Sequence, residues 1–196
     1  MSPIAENSVA RLEPTMPAAL DYHINGDSIY EIVDGQRVEK HMSVRETRLG
    51  NILARWMAEA LGPNPPGEVF HEMLFRLRSE PTLDRRPDIA YVPYERWPDR
   101  VVPEVEAWDV IPSLAVEIIS KSNTAVEVLA KVEAYFEHGV SQVWVIYPNQ
   151  RKIHIYDSPK AIRVLDENDT LDGGTVISGL RLAVRPIFSL LEKTAN

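Results

Sequence analysis

Residues 114–147 admit few arrangements. The opening segment, Leu114-Ala115-Val116-Glu117-Ile118-Ile119, is a short, nearly continuous apolar run, as in a strand covered on both faces, a pattern it shares with a buried helical turn. Ser122 or Asn123 can then cap a helix whose apolar stripe is Ala125, Val128, Leu129, Val132, Tyr135 and Phe136, and Gly139 suits the left-handed position that ends it. A second apolar segment follows at residues 143–147. Strand, helix and strand in that order make a crossover unit, so the two strands are expected to be parallel neighbours in one sheet.

The flanking segments elaborate this unit. Tyr30-Glu31-Ile32-Val33 and Gln36-Arg37-Val38-Glu39 read as a hairpin around Asp34-Gly35, a pair suited to the positive φ angles of a tight primed turn. Ser43 and Glu46 resemble a capping box, and Leu49, Ile52, Leu53, Trp56, Met57 and Ala60 recur at helical spacing until Gly62-Pro63 stops the helix. Strands are expected at residues 69–77 and 86–92, a strand after the turn at Pro148 over residues 153–156, then shorter ones at 162–165, 175–177 and 182–184, and a final helical turn or two at 187–191. Residues 1–20, with Pro3, Pro14 and Pro17 and no periodicity, read as a loose arm, which leaves 21–196 as one domain.

Composition narrows the chemistry. The 196 residues include no cysteine, which rules out disulfides, zinc–thiolate sites and cysteine nucleophiles, and fits a reducing, cytoplasmic setting. No apolar run approaches the roughly 20 residues of a membrane helix, so no membrane partner is expected. A net charge of −8 argues against a surface that coats nucleic acid. It leaves room for a nuclease, whose bound cations supply positive charge at the reacting phosphate.

Two carboxylates stand where they need a reason. Asp88, in Arg-Pro-Asp-Ile-Ala-Tyr-Val, and Glu117 each sit in or at the end of an apolar strand-like run, and an unpartnered buried carboxylate is costly. Held together they could bind a hard cation, which neutralises a phosphoryl group and activates water. Lys131 lies at the flank of the helical stripe, one turn from Glu127 and Tyr135, where its ammonium could reach the strand end and stabilise developing charge. Singly, each also has an ordinary reading: a turn aspartate, an edge-strand glutamate, a solvated lysine.

In combination, Pro87-Asp88, Glu117-Ile118-Ile119-Ser120, Lys131 with Tyr135, and Gly139-Val140-Ser141-Gln142-Val143-Trp144-Val145-Ile146-Tyr147-Pro148 resemble the Uma2 family of restriction endonuclease-like proteins, within the PD-(D/E)XK nuclease superfamily. The hairpin from Tyr30 to Glu39 is similar to that family's opening, so the resemblance spans about residues 22–157. It implies a restriction endonuclease-like fold of mixed α/β (α+β) class, a mixed sheet flanked by helices, here with the N-terminal hairpin and additional C-terminal strands. It also implies cleavage of DNA with Mg²⁺ or Mn²⁺ held by Asp88 and Glu117. Ile119 stands where the superfamily's commonest pattern has a lysine, and by the resemblance that lysine moves to Lys131 on the following helix, with Lys121 as a nearer competitor. Glu39 is the candidate for a further acidic group from the N-terminal region.

Other features carry less. His41, His71 and His154 make no metal-ligand spacing, and the serines lack a nucleophile elbow. Two functions of different class stand: a metal-dependent endonuclease, acting as a homodimer to cut both strands, and a non-catalytic module that keeps the fold for interaction or DNA association. Retention of Asp88, Glu117 and Lys131 favours the first.

Overall fold

The computed structural model describes residues 29–189 and 191, and the arm expected at residues 1–20 lies outside them. The crossover forms as its pattern requires: β7 (Leu114–Ile118), α2 (Ala125–Glu137) and β8 (Gln142–Tyr147), with β7 and β8 parallel and Glu117 level with Val145. Antiparallel partners extend the sheet on both sides. β6 (Ile89–Pro93) pairs with β7 and then with β3 (Gly67–His71), while β9 (Lys152–Ser158) pairs with β8 and then with β10 (Ala161–Leu165). The result is a six-stranded mixed sheet in the order β10-β9-β8-β7-β6-β3.

Strand alternation sorts the sheet into two faces. Leu114, Val116 and Ile118 of β7 pack with Leu49, Leu53 and Met57 of α1 (Val44–Ala60), whereas Ala115 packs with Val128, Val132 and Tyr135 of α2. By the same alternation Glu117 belongs to the α2 face. Asp88, two residues before Ala90 of that face, belongs there too. A second sheet, β2-β1-β5-β4, combines the hairpin β1 (Tyr30–Val33) and β2 (Gln36–Glu39) with β4 (Phe75–Arg78) and β5 (Leu83–Arg85). A small pair, β11 (Thr170–Asp172) and β12 (Arg181–Ala183), leads into α3 (Val184–Ser189). Among the described residues no helix is long and apolar enough to cross a membrane.

Local signals explain most boundaries. Asp34 and Gly35 take φ of 50° and 75° in the hairpin turn, Ser43 and Glu46 form the capping box of α1, and Gly139 closes α2 with φ of 91°. The cap of α2 differs from expectation. Thr124 serves, with Glu127 completing a capping box, because Asn123 turns its side-chain oxygen to the Ser120 N–H at 2.9 Å. The strand expected at 69–77 is broken by Glu72, whose φ of 54° ends β3 and sends β4 into the other sheet. Of the run at 86–92 only residues 89–92 are strand, in β6, while 86–88 link it to β5, and 175–177 is turn between β11 and β12. The loop between β6 and β7 packs: Trp97 and Trp108 meet edge to face at 5.0 Å and both contact Phe70.

Gly67 shows how tightly the β3 edge is fitted. A Cβ there would lie 2.4 Å from the Val92 carbonyl oxygen and 2.5 Å from the Pro93 Cα, both backbone atoms that cannot swing aside. Gly67→Ala is therefore expected to cost about 1–3 kcal/mol. Urea titration should show a lower midpoint at unchanged slope, and an unchanged midpoint would show that this edge is loose.

Candidate active site

The register that sets Ile89 opposite Val116 brings Asp88 level with Glu117 on adjacent antiparallel strands. Both are buried, at 1% and 6% exposure. Asp88 Oδ2 accepts the Ile118 backbone N–H, which binds the first carboxylate to the strand that carries the second. Glu117 is held from α2: Tyr135 donates its hydroxyl to Oε1 at 2.7 Å, and Lys131 donates to Oε2 at 3.0 Å. Lys131 and Tyr135, four residues apart, share a helix face, so one turn of α2 grips both oxygens.

Two further groups come from the N-terminal hairpin. Glu31 of β1 accepts from Lys131 at 3.2 Å, from Arg85 at 2.9 Å and from the Arg86 N–H at 3.0 Å. Lys40, just past β2, donates to Asp88 Oδ1 at 2.6 Å, to Glu72 at 3.1 Å and to the Arg86 carbonyl at 2.8 Å. Charges therefore alternate through the site: Glu72, Lys40 and Asp88 on one side, Glu117, Lys131, Glu31 and Arg85 on the other. They open on a cavity of ≈ 340 Å³ whose wall includes Asp88, Glu117, Lys40 and Lys131.

Burial and pairing pull these groups apart electrostatically. Glu117 is raised above its ordinary 4.5 by burial, with the Asp88 and Glu31 charges adding to the rise and Lys131 and Lys40 opposing it. Glu31 moves the other way, because Lys131, Arg85 and the Arg86 N–H outweigh its burial. Burial alone would lower Lys131, yet Glu117 and Glu31 raise it, so it stays an ammonium at neutral pH. Burial also pushes Glu72 up to about 7, with Asp88 adding to the rise and Lys40 opposing it.

Of the residues singled out in the sequence, Asp88, Glu117 and Lys131 come together. Lys121 lies three residues beyond the end of β7, exposed, and lines a neighbouring cleft instead. Glu39 is exposed on the rim of the cavity, and the hairpin acid that bonds Lys131 is Glu31. Glu31, Lys40 and Glu72 escaped the sequence reading. The available signal for Glu31 was its place between Tyr30 and Ile32 in a strand, an inward acid where an apolar residue would be ordinary. Among the described residues no group of three or more His, Asp or Glu side chains is arranged to hold a metal ion.

Comparison with known proteins finds a family model and solved structures that match. The model of the Uma2 family, described as "Putative restriction endonuclease", matches residues 16–185. A solved structure described as "a putative nuclease belonging to DUF820" from Anabaena variabilis aligns with 83% of this chain and 90% of its own, at 19% identity and a TM-score of 0.71. That likeness shows the fold. No curated protein matches the chain significantly.

The ion-pair chain makes a pH-dependent prediction. Removing the Lys131 ammonium leaves Glu117 buried beside Asp88, and breaking a buried pair costs about 3 kcal/mol. Because the folded state already favours protonated Glu117, its ionisation destabilises as pH rises above 4.5. The favourable contribution of Glu31, whose value is lowered, is complete above 4.5 and is lost as pH falls from there through its lowered folded value. Lys131→Met in EDTA should thus approach wild-type stability near the acid end and fall behind it toward neutral pH. A deficit independent of pH would contradict this electrostatic account.

Proposed function

This chain belongs to the Uma2 family, and we propose that it is a metal-dependent DNA endonuclease whose site is Asp88, Glu117 and Lys131, with residues 21–196 acting as one unit. The observation that carries the reading is the pair of buried carboxylates, Asp88 just before β6 and Glu117 on β7, with the Lys131 ammonium 3.0 Å from the second. An all-oxygen donor set suits a hard cation, and Mg²⁺ commonly takes one or two carboxylates, completing its shell with water and substrate phosphate. Two carboxylates without a third acidic ligand fit that habit. The ion, Mg²⁺ or Mn²⁺, would supply positive charge at the phosphoryl group and a more acidic bound water.

The chain's own residues do the positioning. Tyr135 and Lys131 fix the two oxygens of Glu117, and the Ile118 N–H fixes one oxygen of Asp88. Lys131 remains protonated, so it acts as a hydrogen-bond donor to the attacking water or to a phosphoryl oxygen, and not as a base. Glu31 holds Lys131 from the far side, and in this reading it, not Glu39, is the further acidic group from the N-terminal region. Lys40 occupies Asp88 Oδ1, so any cation at Asp88 shares or takes over that oxygen. The same observation supports the second reading, a non-catalytic module, since each oxygen of Asp88 and Glu117 has a protein donor.

Plasmid nicking separates the two. Asp88→Asn and Glu117→Gln should abolish Mg²⁺-dependent nicking of supercoiled DNA while retaining the fold, and Lys131→Met should lower its rate by about 10²–10³. Glu39→Gln should have a far smaller effect than Glu31→Gln. Purified wild-type protein that cuts nothing in Mg²⁺ or Mn²⁺, or cleavage that survives Asp88→Asn, would sink the catalytic reading. Cutting both strands calls for two sites, so the reading implies a homodimer, which light scattering checks directly.

A further inference from the structure

Beside the acidic cavity lies a second cleft of ≈ 550 Å³, and the two share His41, Met42, Glu46, Ser120 and Ser122 along a common wall. Their charges differ. Six acidic and three basic side chains line the cavity, whereas the cleft holds Arg45 and Lys121 against one carboxylate, Glu46. Glu46 is engaged in the helix cap, accepting from the Ser43 backbone N–H at 3.2 Å and from the Ser43 hydroxyl.

The cleft's donors are left over from folding. Lys121 is exposed and has no hydrogen-bond or ion-pair partner among the described residues. Arg45 donates from Nη1 to Asn149 Oδ1 at 2.7 Å, an arrangement that fixes both side chains. The rest of the guanidinium and the Asn149 amide nitrogen have no side-chain acceptor among the described residues. A polyanion entering the acidic cavity meets repulsion, both there and from a chain of net charge −8, so its anchorage has to come from local cations.

We infer that this cleft is the subsite that holds the nucleic-acid backbone phosphates flanking the bond to be cut, an inference that rests on the nuclease reading. Spare N–H donors on a lysine, an arginine and an amide are the groups that contact phosphate oxygens and set register without reading sequence. Lys121 follows Glu117 by four residues, a span of at most about 14 Å. With a rise of about 3.4 Å per nucleotide along one strand, the contacted phosphates lie within about four nucleotides of the scissile one.

The test uses a fluorescein-labelled DNA duplex and the Glu117→Gln protein in Mg²⁺, so that the probe survives, with fluorescence anisotropy read across a KCl series. Lys121→Glu and Arg45→Glu are added singly and together. Neither endangers the fold, since Lys121 is exposed and Arg45 sits in the first turn of α1, where an acid favours the helix dipole. Loss of one phosphate contact should weaken binding about eightfold at about 0.1 M salt and reduce the slope of log K against log salt by about one. Lys160→Glu, in the turn between β9 and β10, changes net charge equally at a distance and should have little effect. If the parent binds DNA and the cleft reversals behave like Lys160→Glu, the subsite is overturned while the nuclease reading stands. If wild-type protein cuts no DNA and the parent binds none, that reading fails and the subsite falls with it.

Discussion

Two carboxylates set level on neighbouring antiparallel strands repel each other, and in a buried setting they can stay ionised only beside cations. Most of the surrounding architecture follows from meeting that demand at Asp88 and Glu117. Lys131 arrives from α2 and Lys40 from the end of the N-terminal hairpin, which brings the second sheet and the helix layer to the same strand ends. Glu31 and Glu72 then steady the lysines from behind. Buried ion-pair chains of this kind are poor stabilisers compared with apolar packing, and strongly perturbed ionisable groups gather at working sites.

The face on which the site forms is decided by alternation. Even-numbered residues of β6 and odd-numbered residues of β7 pack toward α2, and that parity alone turns Asp88 and Glu117 the same way. The opposite face, filled by Leu49, Leu53 and Met57 of α1 beneath Val116, Ile118, Trp144 and Ile146, is mainly apolar, with Gln142 accepting the Trp144 indole N–H within it, and anchors the strands. The polar site is therefore carried on one side of a sheet whose other side supplies the cohesion. Electrostatically the site divides further, into an acidic cavity suited to cations and a neighbouring cleft with spare donors.

Much of this was readable in the chain. The strand–helix–strand pattern gave the parallel pair β7 and β8, the Asp34-Gly35 turn gave the hairpin, and Ser43 with Glu46 gave the start of α1, because each depends on local chemistry. Lys40 and Glu31 were not readable. Their roles come from the hairpin's placement across the sheet ends, a contact between residues 48 and 100 positions apart in the chain. Glu72 was hidden by a related difficulty, since its apolar neighbours look like one continuous strand and only the left-handed backbone at that residue divides them. Lys121 was the nearer lysine in sequence to Glu117, yet the chain turns at the end of β7 and leaves it outside the cavity, while one turn of α2 returns Lys131 to it.

The central claim is that Asp88 and Glu117 together hold a divalent cation. Anomalous scattering from crystals grown with Mn²⁺ tests it most directly. The account predicts one strong peak in contact with a carboxylate oxygen of each residue, at about 2.0–2.6 Å, with the Lys40 ammonium withdrawn from or sharing its oxygen on Asp88. Crystals saturated with Mn²⁺ that show no peak there, with Lys40 still 2.6 Å from Asp88, would contradict it.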